Sequence, residues 1–153
     1  MVYKNLLSIL YEKDEIFLQD IIFNKNEKSL IGKFLIQNKS YSKKPVNYVT
    51  AENFVRCFSQ SAYTLAYLLT KENILPESIL NLNEKLFKKK MENLEMFYKD
   101  IHIGFHKKVT REESFEIKIV LENFKSIREF EIFYFKVKSG PVDGNMKLVV
   151  KSA

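Results

Sequence analysis

The sequence predicts an α+β domain in which one antiparallel sheet wraps a single long apolar helix, and three observations carry that prediction. After Thr50, apolar side chains recur at three- and four-residue spacing (Phe54, Val55, Phe58, Ala62, Leu65, Ala66, Leu69), and Cys57 and Leu68 widen the arc. A helix with so broad an apolar face needs neighbours on more than one side. Beyond Leu94 the period shifts to two, as in Phe115, Ile117, Ile119 and Leu121, the pattern of strands with one buried face. No glycine-rich strand-to-helix crossover is present, which argues against a doubly wound parallel sheet.

The elements follow in order. Residues 3–11 (YKNLLSILY) are a short apolar run with room for one or two helical turns. Residues 16–40 read as strand, turn, strand, because branched and aromatic side chains flank the polar stretch NKNEKS. A loop over 40–49 is marked by Pro45, since the residue before a proline is pushed away from helix. Thr50 is a good N-cap for a central helix of about 51–69, with Glu52 in the first turn where the helix dipole favours an anion. Residues 78–94 predict a shorter amphipathic helix with a lysine-rich outer face. Strands are expected at 95–109, 114–124, 128–138 and 145–151, joined as an antiparallel meander, with Pro141, Val142, Asp143 and Gly144 forming the last turn. One antiparallel sheet curled around one apolar helix is the hot-dog fold. Edge strands in so short a chain invite pairing between subunits, so a homodimer is the expected minimum.

Composition narrows the function classes. The 153 residues suit one domain, 1–153, around a single core. Twenty-five basic against 19 acidic side chains leave a net charge of +6. The lysines are scattered and interleaved with glutamates, unlike the clustered stripe of a nucleic-acid site. A single cysteine cannot close an internal disulfide. No signal-like segment and no apolar run of membrane-spanning length appears, so a cytoplasmic setting without a membrane span is expected.

The stretch 31–41 (IGKFLIQNKSY), the helical Cys57-Phe58-Ser59-Gln60 with Ala62-Tyr63, and more loosely 103–119 (IGFHKKVTREESFEIKI) carry a resemblance. The chain resembles the mycobacterial long-chain fatty acyl-CoA thioesterase family, a branch of the hot-dog superfamily. The resemblance implies an active site beside the central helix, an acyl chain in a tunnel, and polar groups in place of a catalytic carboxylate. It implies catalytic positions at Tyr41, Ser59, Gln60 and, by a looser match, Tyr11. Thr50 and Ser59 stand where that family has asparagines, and a hydroxyl offers one proton where an amide offers two donors. The implied activity is hydrolysis of fatty acyl-CoA or acyl-carrier-protein thioesters. The carrier's coenzyme A or phosphopantetheine is part of the substrate, and no metal or redox cofactor is required. Two alternatives stand beside it: another hot-dog acyl-thioester enzyme (dehydratase, hydratase or addition enzyme), and a non-catalytic acyl-binding or scaffold protein.

The residues themselves leave choices open. Gln60, in an apolar helix, either donates to a thioester carbonyl or makes a structural bond to a neighbouring strand or subunit. Tyr41 and Tyr48 flank a proline loop, and a phenol there either stabilises an oxyanion or packs the loop. Thr50, Tyr48 and Tyr63 are expected to line a substrate pocket. Arg56 interrupts the apolar helix and should reach solvent, a phosphate or a carboxylate, while Lys43 and Lys44 are available to an anionic carrier. Cys57 reads as a small buried hydrophobe. His102 and His106 are expected on one strand face with Gly104 between them, but lack a third ligand for a metal.

Overall fold

In a computed structural model that describes residues 2–37, 46–76, 81–138 and 140–151, the chain orders as helix α1 (Val2–Leu7), a 3-10 turn (Lys13–Glu15), strands β1 (Leu18–Asn24) and β2 (Ser29–Phe34), helices α2 (Ala51–Lys71) and α3 (Glu84–Glu92), and strands β3 (Met96–Phe105), β4 (Phe115–Ile127), β5 (Phe130–Lys138) and β6 (Val142–Lys151). The six strands form one antiparallel sheet in the order β1-β2-β4-β5-β6-β3. This is the hot-dog arrangement: the sheet curls around α2. Register shifts in β1, β3 and β4 supply local bends, since an extra residue on one strand increases twist and curvature.

The α2 helix begins where Thr50 caps it and runs to Lys71, two residues past the expected end. Phe54, Cys57, Phe58, Ala62, Leu65, Ala66 and Leu69 are all buried. Strands β1, β2, β4 and β5 pack on it from the sheet side, and α1 and α3 pack on it from the other. Aromatic contacts fix the start of the helix, with Phe54 edge-on to Phe115 at 5.4 Å between ring centres and Phe115 stacked on Phe34 at 5.8 Å. No helix among the described residues is long and apolar enough to cross a membrane.

Three expectations need correction. First, β3 is not the neighbour of β4 in a meander but lies at the far edge, paired with β6. The connection after it crosses beneath the start of α2. Along the way His106 N donates to Pro141 O (2.9 Å), Val49 N to Val109 O (2.8 Å) and Glu112 N to Ile36 O (3.1 Å). Second, Val142, Asp143 and Gly144 belong to β6 rather than to a turn. Gly144 is needed there by close approach, because a Cβ on it would lie 1.9 Å from the His102 carbonyl oxygen beside the β3 bulge. Third, α3 is shorter than the amphipathic pattern predicts, because Asn83 caps it by accepting from Leu86 N at 2.9 Å.

Candidate active site

The middle of α2 is tied to the N-terminal arm by Gln60. Its side chain is fully buried, and its Oε1 accepts from Phe17 N (2.9 Å) and Leu18 N (3.2 Å) while Nε2 donates to Glu15 O (2.6 Å). These backbone groups enter β1 and would otherwise be unsatisfied in the core, so the amide acts as a clamp. One residue earlier, Ser59 Oγ shares a short hydrogen bond with Tyr11 OH, and Ser59 O accepts from Tyr98 OH at 2.9 Å. Tyr63 lies edge-on to Tyr98, with ring centres 5.1 Å apart. Burial pushes the Tyr11 phenol up to about 12, and raises Tyr63 and Tyr98 as well. These hydroxyls are neutral donors and acceptors at ordinary pH. Cys57 is wholly buried and its thiol is pushed up by desolvation, the reverse of an activated nucleophile.

The first turn of α2 is built differently. Thr50 Oγ1 accepts from Asn53 N at 3.3 Å, and Asn53 Oδ1 accepts from Thr50 N at 3.0 Å, closing a capping box. The same Oδ1 also accepts from Thr50 Oγ1 at 2.9 Å and from Arg111 Nη2 at 3.3 Å. Arg111 is itself held by Nε donating to Val46 O at 3.0 Å. Every hydrogen bond shown between the Asn53 side chain and a described residue falls on its oxygen, so the amide is oriented and its NH2 group is left over. Asn53 borders a cavity of about 680 Å³.

That cavity lies between the start of α2 and the N-terminal arm. Arg56, one turn after Asn53, bonds the Glu15 carboxylate across it. Lys4 and Lys13 add cationic groups, and Ile16, Phe17 and Leu35 give it an apolar wall. On the other side of the first turn, a cavity of about 720 Å³ is bordered by Tyr48, Thr50, Phe54, Phe105 and Lys108. There Tyr48 lies under the Lys108 ammonium, 5.3 Å from its ring centre.

The expected site residues therefore separate into groups. Tyr11, Ser59, Gln60 and Tyr63 meet at the middle of α2, while Thr50, Arg56 and Tyr48 gather around its first turns. Tyr41, Lys43 and Lys44 lie outside the described residues. His106 sits just past the end of β3 with Nε2 2.9 Å from Asp143 Oδ2, so it does not share a strand face with His102. Sequence reasoning missed Asn53, Arg111, Tyr98 and Glu15. The Thr50-x-x-Asn53 spacing of a capping box was the available signal for the first.

No protein-family model and no curated protein sequence matches the chain. Solved structures share its architecture at low identity. Cj0977, a sigma28-regulated virulence protein from Campylobacter jejuni, is 8% identical with a TM-score of 0.58, over 100% of this chain and 98% of that one. The Lactococcus lactis protein yhdA, described as a thioesterase candidate, is 8% identical with a TM-score of 0.55, over 93% of this chain and 99% of that one. The 4-hydroxybenzoyl CoA thioesterase from Pseudomonas sp. strain CBS-3 is 11% identical with a TM-score of 0.50, over 80% of this chain and 84% of that one. These likenesses show the hot-dog fold, and at such identities the fold alone.

Proposed function

We propose that the chain hydrolyses fatty acyl thioesters, releasing the thiol of coenzyme A or of a carrier protein's phosphopantetheine. The single observation that carries this reading is the oriented Asn53 amide, whose NH2 group is left over at the wall of a cavity large enough for a small substrate portion. A donor fixed before the substrate arrives stabilises the oxyanion of a tetrahedral intermediate without reorganising. Asn53 thus supplies, three residues later, the helix-start amide that Thr50 does not, and Thr50 holds it in place. The fold it shares with a named CoA thioesterase is compatible with this chemistry.

In this reading the Glu15 carboxylate, held across the cavity by Arg56, takes a proton from water as the water oxygen attacks the carbonyl carbon. The C–S bond then breaks, and the same proton returns to the departing sulfur. Arg56, Lys4 and Lys13 face the anionic carrier, and Ile16, Phe17 and Leu35 contact the acyl chain. Gln60 and the Tyr11–Ser59 pair hold the arm that brings Glu15 to the helix. The long-chain preference rests on the resemblance in the sequence, which makes Tyr41 a further donor to the thioester carbonyl and leaves Lys43 and Lys44 to the anionic carrier. A second copy pairing along edge strand β3 is part of the same proposal, and the mass in solution tests it.

Thiol release from a chain-length series of acyl-CoA and acyl-carrier-protein substrates decides the matter. Turnover that peaks at one chain length, and that falls by about 100-fold in Glu15→Gln, is the expected result. Absence of release from both carriers, with the protein folded, rejects hydrolysis and leaves acyl binding.

A further inference from the structure

The face of the sheet turned away from α2 carries an apolar patch ringed by lysines, and we infer that it docks on an anionic lipid surface. The register builds the patch row by row. Ile127 of β4 lies opposite Phe130 of β5, which lies opposite Lys151 of β6. In the next row Lys125, Ile132, Val149 and Phe97 stand side by side on β4, β5, β6 and β3. In the third, Tyr134, Lys147 and Lys99 continue across the same strands. Residues pointing the other way, such as Met96, Phe133 and Val150, are buried against the core, which places these rows on the outer face. Lys151 N donates to Glu95 O at 2.8 Å, so Glu95 extends the first row and Leu94 lies one residue beyond it, at the rim of the face. At about 4.8 Å per strand, the patch is roughly 14 Å wide from β4 to β3.

Phe97 (47% exposed) and Ile127 (44%) stand out from the face, and Leu94 (77%) from its rim. The Leu94 backbone is left-handed, with φ 56°, because it ends α3 in a Schellman turn in which Leu94 N donates to Met91 O (3.1 Å) and Glu95 N to Lys90 O (2.9 Å), a position that suits glycine or asparagine.

Charge selects the occupant. Asp100 is paired with Lys147 and Glu95 with Lys90, and Arg128 and Glu129 at the adjoining turn cancel each other. Among the described residues Lys99 and Lys125 have no ion-pair partner, although Lys125 rests over the Tyr134 ring, and Lys151 adds its charge beside the Glu95 carboxylate that Lys90 holds. A second copy seated face to face would oppose these lysines with its own, whereas anionic headgroups complement them while Leu94, Phe97 and Ile127 enter the acyl boundary. No residue of these rows lines the cavity at the start of α2.

Co-sedimentation of the full chain with phosphatidylcholine vesicles, and with vesicles that also contain phosphatidylglycerol, tests this inference. The expected result is partition onto the anionic vesicles alone, weakened by salt. Lys99→Glu combined with Lys125→Glu should lower it by about ten-fold or more. Leu94→Asn should lower it too while leaving the melting temperature unchanged or higher, because asparagine suits that backbone. Absence of binding to anionic vesicles overturns the inference, as does equal binding to both compositions. Self-association at micromolar concentration that Ile127→Ser, on β4 and away from the β3 edge, abolishes would assign the patch to a second copy and overturn it as well.

Discussion

Asn53 and Gln60 are both buried primary amides on α2, seven residues apart and therefore on one face two turns from each other. Gln60 uses its oxygen and its nitrogen on the backbone of residues 15–18. Asn53 uses only its oxygen, on Thr50 and Arg111. The same chemical group is thus a structural clamp in one place and an oriented donor in the other. Burial and residue type alone do not separate the two roles. What separates them is which end of the amide the protein itself occupies.

The largest expected effect is on stability, at Gln60. Replacing it with leucine removes the acceptor of two buried N–H groups and the donor to Glu15 O, so Gln60→Leu should lower the unfolding free energy by about 3–5 kcal/mol. Denaturant unfolding measures it, and a loss under about 1 kcal/mol would show that water or a shifted arm satisfies those groups. Asn53→Asp should do the reverse. Aspartate keeps an oxygen for Thr50 N and Arg111, and a negative charge at a helix N-terminus is favourable, so stability should hold. The donor is lost, however, and thiol release should fall by about 100-fold, the scale for one oxyanion donor. A folded Asn53→Asp protein with full turnover would return the oxyanion role to another group.

Much of this frame was legible beforehand, for identifiable reasons. The α2 helix announced itself because Phe54, Phe58, Ala62, Leu65 and Leu69 repeat with the helical period and Thr50 marks the start. The β1–β2 hairpin was readable because Lys25 to Lys28 separate two branched runs. The place of β3 was not, because strand neighbours are chosen by contacts far apart in sequence, and residues 106–109 of the crossing read as a continuation of the strand that in fact ends at Phe105. Glu15 was invisible for a related reason: it reaches the cavity only because Arg56 and Gln60 fasten the 3-10 turn to α2, and nothing in Lys13-Asp14-Glu15 itself marks that. Asn53 was readable in part, since its spacing from Thr50 suits a capping box, but the Arg111 that orients it arrives from 58 residues away.

The hydroxyls between the two amides offer a gentler test of how well the middle of α2 is sealed. Burial raises the Tyr11 phenol to about 12, so its proton is held more tightly in the folded chain than in the unfolded one. Below about pH 10 both states keep the proton and the contribution is intact. Between there and pH 12 the unfolded chain ionises first, so stability falls as pH rises, by about 2–3 kcal/mol from this group. Tyr63 and Tyr98 shift in the same direction and steepen the slope. Unfolding measured across that window should show Tyr11→Phe with a flatter profile than the parent. Matching slopes would mean that Tyr11 ionises at an ordinary phenol value and that water reaches Ser59.

The smallest effect expected is also the most diagnostic of how Asn53 is held. Thr50 contributes twice: its Oγ1 caps α2 and also donates to Asn53 Oδ1. Thr50→Ala should therefore cost about 1 kcal/mol of stability through the lost cap, and should lower kcat by roughly 3- to 10-fold with KM unchanged, because the amide gains rotational freedom while substrate contacts remain. Thr50→Ser keeps the hydroxyl and should restore both. If Thr50→Ala loses stability but keeps kcat, then Thr50 N and Arg111 Nη2 suffice to fix the amide. In that case Arg111→Ala, which removes the remaining side-chain anchor, is where the loss of kcat should appear.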